Sequence, residues 1–194
     1  MPASPTSRPK TADDLIALEA ETGERFEVVD GAFVEVHVSR KSSSTNSKFN
    51  RYLGDFVDKH HLGEVFDSEM IFDLPRSTRH ADVSVVLTER LPGDEDVSRF
   101  VGAPDVVVEV VSPTDRFSSV RRKVQEWLDA GAQVVWLANP ESAEVSVYRR
   151  GHSVRTLGID DTLDGEDVLP GFSVAVSDLF PARTTARQEM SRDG

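Results

Sequence analysis

The patterning begins at Thr11, where Asp14 stands three residues on as in a capping box and Leu15, Ile16 and Leu18 form an apolar stripe. This predicts a short helix ended by Thr22-Gly23. The run RFEVVDGAFVEVH then sets two alternating segments around Asp30-Gly31, a strong signal for a tight hairpin. From about Ser43 to His61, residues Phe49, Tyr52, Leu53, Phe56 and Val57 recur with the spacing of an amphipathic helix, which Gly63 closes.

Strand patterns follow in EVF, in EMIFDL and, after a turn-like RSTR, in HADVSVVL. A Pro-, Gly- and Asp-rich loop from Glu89 to Gly102 leads to APDVVVEVVSPTD. Val120, Val124, Trp127 and Leu128 trace one helix face up to Gly131, and VVWLA is the next strand. Strand, helix, strand in this order predicts a βαβ crossover with parallel pairing, and so an α/β domain. EVSVYRR, HSVRTLGI and FSVAVSDLF predict an antiparallel C-terminal extension.

Length fits this picture, since 194 residues suffice for one domain with a real core. That domain is expected over residues 11–181, with polar disordered tails at 1–10 and 182–194. With no cysteine, there is no disulfide framework, thiolate zinc site or cysteine nucleophile. The opening MPASPTSRPK lacks the apolar centre of a signal peptide, and no stretch approaches the roughly 20 apolar residues of a membrane span, so a cytoplasmic protein without membrane association is expected. A net charge of −12 opposes passive adhesion to nucleic acid or anionic lipid. A polyanion would have to be held by local patches, of which there are two: Arg40, Lys41, Lys48 and Arg51, and Arg121, Arg122 and Lys123. Taken alone, either patch reads more readily as a solvated helix face.

The chemistry starts from Glu109, a carboxylate within a β-branched run of the kind covered on both faces of a sheet. Buried there, it needs a cation, a metal or hydrogen-bond donors. Pairing of HADVSVVL with this strand would bring Asp82 beside it. Two converging carboxylates suit a hard cation such as Mg²⁺, and the backbone carbonyl of Val110 could complete the set. Asp105 lies on the same strand face as Glu109 but roughly 13 Å away, too far to share an ion, and is expected to make local hydrogen bonds. Lys123 falls beside Val120 and Trp127 on its helix, where its stem can lie on the core and its ammonium reach the sheet. Taken singly, Glu109 also reads as a structural ion-pair partner, Asp82 as a strand-end residue and Lys123 as a solvated helix residue. Glu27 is either part of the same site or a hairpin residue facing solvent. His60, His61 and His80 are read as surface histidines, and Trp127 and Trp136 as core.

Glu27 before Asp30-Gly31, Asp82 in a strand, Glu109 in VVVEVVSP, Lys123 in the next helix, DAGAQVVWLANP and the closing LPGFSVAVSDLF together resemble the Uma-type putative restriction endonuclease family, within the PD-(D/E)XK nucleases. The resemblance runs from about Thr11 to Phe180. It implies a restriction-endonuclease-like core: a central mixed sheet flanked by helices, with an N-terminal β-hairpin and a C-terminal antiparallel extension. It also implies an endonuclease that hydrolyses phosphodiester bonds in DNA with Mg²⁺, or Mn²⁺ in its place, on Asp82 and Glu109. Glu27 is then an additional ligand or a supporting acid. Val111 occupies the usual lysine position two residues after the glutamate, and Lys123 supplies the lysine from the helix. Ala81 replaces the usual proline, Ser119 stands where many members carry aspartate, and no histidine is evident in SSSTNSK. The other readings carried forward are a catalytically inactive nuclease-fold protein serving as a dimeric or regulatory module, with a homodimer as partner, and a purely structural acidic domain.

Overall fold

The computed structural model describes residues 8–36, 39–93 and 96–182. Helix α1 (Ala12–Thr22) has the expected box, with Thr11 Oγ accepting from the Asp14 N–H and Asp14 accepting from the Thr11 N–H, and ends on Gly23 at φ 69°. Strands β1 (Phe26–Val29) and β2 (Ala32–Glu35) form the hairpin. Asp30 and Gly31 take φ 50° and 74°, the paired positive values of the tight turn that matches strand twist. The polar stretch before α1 is partly tied down: Arg8 bonds Asp14, and the Lys10 N–H donates to the Gly31 carbonyl at 3.0 Å. The rest of both expected tails, residues 1–7 and 183–194, lies outside the described residues.

The hairpin does not stand alone. It continues through β5 (Ser77–His80), β4 (Ile71–Asp73) and β7 (Arg99–Val101) into a five-stranded sheet of order β2-β1-β5-β4-β7. This corrects two expectations. The turn-like RSTR is largely strand β5, all four residues of which are buried, because its polar side chains find carboxylate partners that a hydropathy pattern cannot display. The loop from Glu89 to Gly102 includes the end of a helical turn, Thr88–Arg90, and strand β7.

The larger sheet is mixed and six-stranded. Its strands are β3 (Gly63–Asp67), β6 (Val83–Leu87), β8 (Val106–Val110), β9 (Val134–Asn139), β10 (Glu144–Tyr148) and β11 (Arg155–Leu157), in the order β11-β10-β9-β8-β6-β3. Only β8 and β9 run parallel, joined by α3 (Phe117–Asp129) as the crossover. The long helix α2 (Arg40–His60) begins three residues earlier than its apolar pattern suggests, capped by Ser39, and ends at His61; Gly63 is already strand. On one face of the sheet Phe49, Leu53 and Val57 of α2 pack with Val83, Val85, Val106 and Val108. The small ribbon β12 (Thr162–Asp164) and β13 (Ser173–Ala175), with α4 (Val176–Leu179), closes that core. On the other face Val107 and Val135 meet Val124, Trp127 and Leu128 of α3 and Phe72 of the second sheet. Strand alternation puts Glu109 on the side of Val107, toward α3, and that placement builds the site.

Candidate active site

Asp82 immediately precedes β6, and the antiparallel register Val83 to Val108 carries it one step past the ladder to a point opposite Glu109. Its Oδ2 accepts from the Val110 N–H at 2.7 Å, and its Oδ1 accepts from the Asn46 amide of α2 at 3.0 Å. Glu109 accepts at Oε1 from the Trp127 indole N–H at 2.7 Å, while Oε2 lies 2.8 Å from Lys123 Nζ. Lys123 and Trp127 are four residues apart on α3, so one helical face presents both to the carboxylate.

Lys123 Nζ is also 2.8 Å from Glu27 Oε1 and donates to the His80 carbonyl at 3.3 Å. Glu27 is buried: Val28 joins Leu15 of α1 and Ile71 in a small core, and alternation turns Glu27 to the opposite face. The solvent-facing reading of Glu27 is therefore excluded. Arg79 of β5 donates to Glu27 Oε2 at 2.6 Å and to Glu126 of α3 at 2.5 Å, and Ser77 also donates to Glu126. Glu27, Asp82, Glu109, Val110 and Lys123 line one cleft of about 220 Å³, with Ser119 at its side.

Charge is unevenly met in this cleft. Lys123 serves Glu27 and Glu109, and Arg79 serves Glu27 and Glu126. Among the described residues Asp82 has no ion-pair partner within contact distance; its two donors are neutral. Burial consequently pushes the Asp82 carboxyl up, against the pull of Lys123. Burial likewise pushes Glu109 up to about 8, with Asp82 and Glu27 adding to the effect and Lys123 opposing it. For Glu27 burial acts in the same direction, but Lys123 and Arg79 together outweigh it and hold its proton affinity below the usual value. Lys123 is desolvated too, yet the three carboxylates around it keep it protonated well above an ordinary lysine.

This donor set, two buried carboxylates of raised proton affinity and no soft ligand, is the kind a hard divalent cation takes. Within a strand a residue's N–H and C=O leave on the same side, so the Val110 carbonyl leaves on the side of Asp82. Glu27 is bridged to Glu109 by Lys123, and among the described residues no group of three acidic, histidine or cysteine side chains is assembled as a ready metal cage.

Other expected residues sit elsewhere. Asp105 lies at the opposite end of β8, accepting from the Leu87 N–H, Arg90 and Gln133. His60 and His61 are exposed, but His80 is not the surface residue expected: it is buried, with Arg25 at 3.2 Å from Nδ1 and Glu19 of α1 at 3.2 Å from Nε2. Of the basic patches, Lys41 pairs with Glu141, Arg122 with Asp30, and Lys48 donates to the Asp178 carbonyl, while Arg121 lies 5.8 Å from the Phe117 ring. Arg40 and Arg51 are exposed.

Sequence reasoning missed Arg79, Asn46 and the indole N–H of Trp127. The third was findable, because a buried Trp needs an acceptor and Glu109 was the candidate. Arg79 was concealed by the turn-like look of its segment. Nothing in the sequence marks Asn46.

The comparisons agree with the fold. A crystal structure of a putative nuclease belonging to DUF820 from Anabaena variabilis superposes with a TM-score of 0.79 at 23% identity, covering 89% of this chain and 98% of that one. It establishes the likeness of fold. No curated protein matches the chain. The profile of the Uma2 family, described as "Putative restriction endonuclease", matches residues 12–177, nearly the whole described fold, and the chain belongs to that family.

Proposed function

We propose that this chain is a metal-dependent endonuclease hydrolysing phosphodiester bonds in DNA, with Asp82, Glu109 and the Val110 carbonyl as ligands of Mg²⁺, for which Mn²⁺ can substitute. One observation carries the reading: a buried carboxylate pair in a cleft, of which Asp82 has only neutral donors and Glu109 is pushed up to about 8. Such a pair is stabilised by a divalent positive charge. Bound there, the ion would polarise the scissile phosphate and lower the pKa of a coordinated water.

The protein's own groups do the rest. Asn46 and the Val110 N–H orient Asp82, and Trp127 orients Glu109. Lys123 holds a proton and a positive charge at the cleft, where it can orient the attacking water or neutralise charge developing on the phosphate. Its ammonium lies 2.8 Å from both Glu27 and Glu109 and donates to the His80 carbonyl at 3.3 Å, the longest of these contacts and the one a phosphate oxygen would replace. Glu27, fixed by Arg79, shares Lys123 with Glu109 and keeps its head in the cleft. A cytoplasmic setting belongs to this proposal, supported by the absence of cysteine; among the described residues no helix is long and apolar enough to cross a membrane.

A second reading is a catalytically silent module acting as a dimer or regulator. It is favoured by the completeness of the network, since each oxygen of Asp82 and Glu109 already faces a donor. Nicking of supercoiled plasmid with Mg²⁺ or Mn²⁺, beside Asp82→Ala and with calorimetric titration of the ion, decides between them. Metal-dependent nicking lost in the variant is the expected result. Absence of both nicking and binding heat in the wild type would refute the nuclease reading.

A further inference from the structure

A second groove, of about 460 Å³, lies beside the cleft and shares one lining residue with it, Asp82. Its wall is a stripe of α2, Ser43, Asn46, Ser47, Asn50 and Arg51, spaced i, i+3, i+4, i+7 and i+8. This stripe is adjacent to the buried one carrying Thr45, Phe49 and Leu53, so packing of the latter fixes the direction of the former. Asp67, the last residue of β3, and Ser68 after it face the stripe.

The chemistry of this stripe is unusual for an exposed helix face in a protein of 29% charged residues. Four of its five members are neutral hydroxyl or amide side chains, able both to donate and to accept. Ser47 donates to the Ser43 carbonyl, which leaves its oxygen free to accept, and Asn46 gives its amide N–H to Asp82. No hydrogen bond within the described residues engages the side chain of Asn50. Asn46 Oδ1 is buried without a partner where the two clefts meet.

An endonuclease must let its substrate continue on both sides of the scissile bond, so a cleft that ended at Asp82 could not serve one. We infer that the α2 groove is the track by which the polynucleotide strand leaves the site, held by hydrogen bonds from Ser43 and Asn50 to phosphate, sugar or base edges and by Ser47 accepting from base amino groups, with Arg51 the one cation among its described lining residues. This rests on the nuclease reading above. It also explains how a chain of net charge −12 holds a polyanion when Lys41, Lys48 and Arg122 are already engaged: neutral donors position the backbone without counterion release. With Arg51 the one charged member of the α2 stripe, the expected salt signature is a slope of log affinity on log salt of about −1 to −2, of which Arg51→Ala should remove about 0.9.

The test is the double variant Ser47→Glu, Asn50→Asp, which places two carboxylates in the groove, beside the control Ser153→Glu, Ser173→Glu, which makes the same charge change at exposed positions elsewhere. Plasmid nicking with Mn²⁺ is measured together with hydrolysis of bis(4-nitrophenyl) phosphate, a diester too short to reach the groove. The expected result is a rise of at least about tenfold in KM for plasmid in the groove variant, equivalent to one lost contact of about 1.4 kcal/mol. Its kcat, its rate on the short diester and its urea midpoint should match the wild type. A wild-type KM in the groove variant, or an equal rise in the control, overturns the track while leaving the nuclease intact. A wild type that cleaves neither substrate with either metal removes both.

Discussion

Glu109→Gln should shift the stability of the metal-free protein, relative to the wild type, in favour of the variant as pH rises. Glu109 is only 6% exposed, and its carboxyl is pushed from an ordinary 4.5 up to about 8. Between those values the folded chain keeps a proton that the unfolded chain has released, so stability falls as pH rises through that window. At 1.36 kcal/mol for each unit, the loss between pH 5 and pH 7.5 is about 3 kcal/mol. Glutamine keeps the shape and does not titrate; with its oxygen on the Trp127 N–H its NH2 faces Lys123, a cost that does not vary with pH, while Lys123 retains Glu27. Urea unfolding in EDTA at pH 5, 6, 6.5 and 7.5 measures this as a difference between variant and wild type, in which all other titrating groups cancel. From pH 5 to pH 7.5 the difference should move in favour of the variant by roughly 2 to 3 kcal/mol. Parallel curves would mean that Glu109 is ionised throughout and balanced by Lys123, and the charge deficit argued for the cleft would be gone.

Three further outcomes follow from the same geometry. Mn²⁺ at a hundredfold excess over its dissociation constant should raise wild-type stability by about 2.7 kcal/mol, visible as a melting shift, and Asp82→Ala should abolish that gain. Lys123→Ala should slow plasmid nicking by on the order of 10² to 10³. It should also cost about 3 to 5 kcal/mol in urea unfolding at pH 8, since Glu27 and Glu109 are left without their shared cation; a variant that unfolds easily yet cleaves at the wild-type rate would make Lys123 purely structural. Trp127→Phe keeps the ring in the core but removes the donor to Glu109, so a loss of about 1 to 3 kcal/mol is expected above pH 8 and less at pH 5, where the carboxyl is neutral. Equal losses at both pH values would assign the effect to packing.

Much of this arrangement is written in local pattern. The run of valines around Glu109 can only be a covered strand, so a buried carboxylate followed from hydrophobicity alone, and helical spacing of Val120, Val124 and Trp127 placed Lys123 at the edge of the buried face. Asp30-Gly31 specified its turn because few residues accept two consecutive positive φ values. What the sequence could not contain is pairing between distant segments. Whether Glu27 faced solvent or the cleft depended on which sheet the hairpin joined, and that was decided by β5, whose Ser77 and Arg79 look like turn residues until Glu126 and Glu27 are brought to them from 47 to 52 positions away. His80 looked like a surface histidine until Arg25 and Glu19 closed around it. Local propensity and periodicity are properties of neighbours in the chain and can be read directly; the partner of a buried charge is chosen by the folded topology, and only the tertiary structure names it.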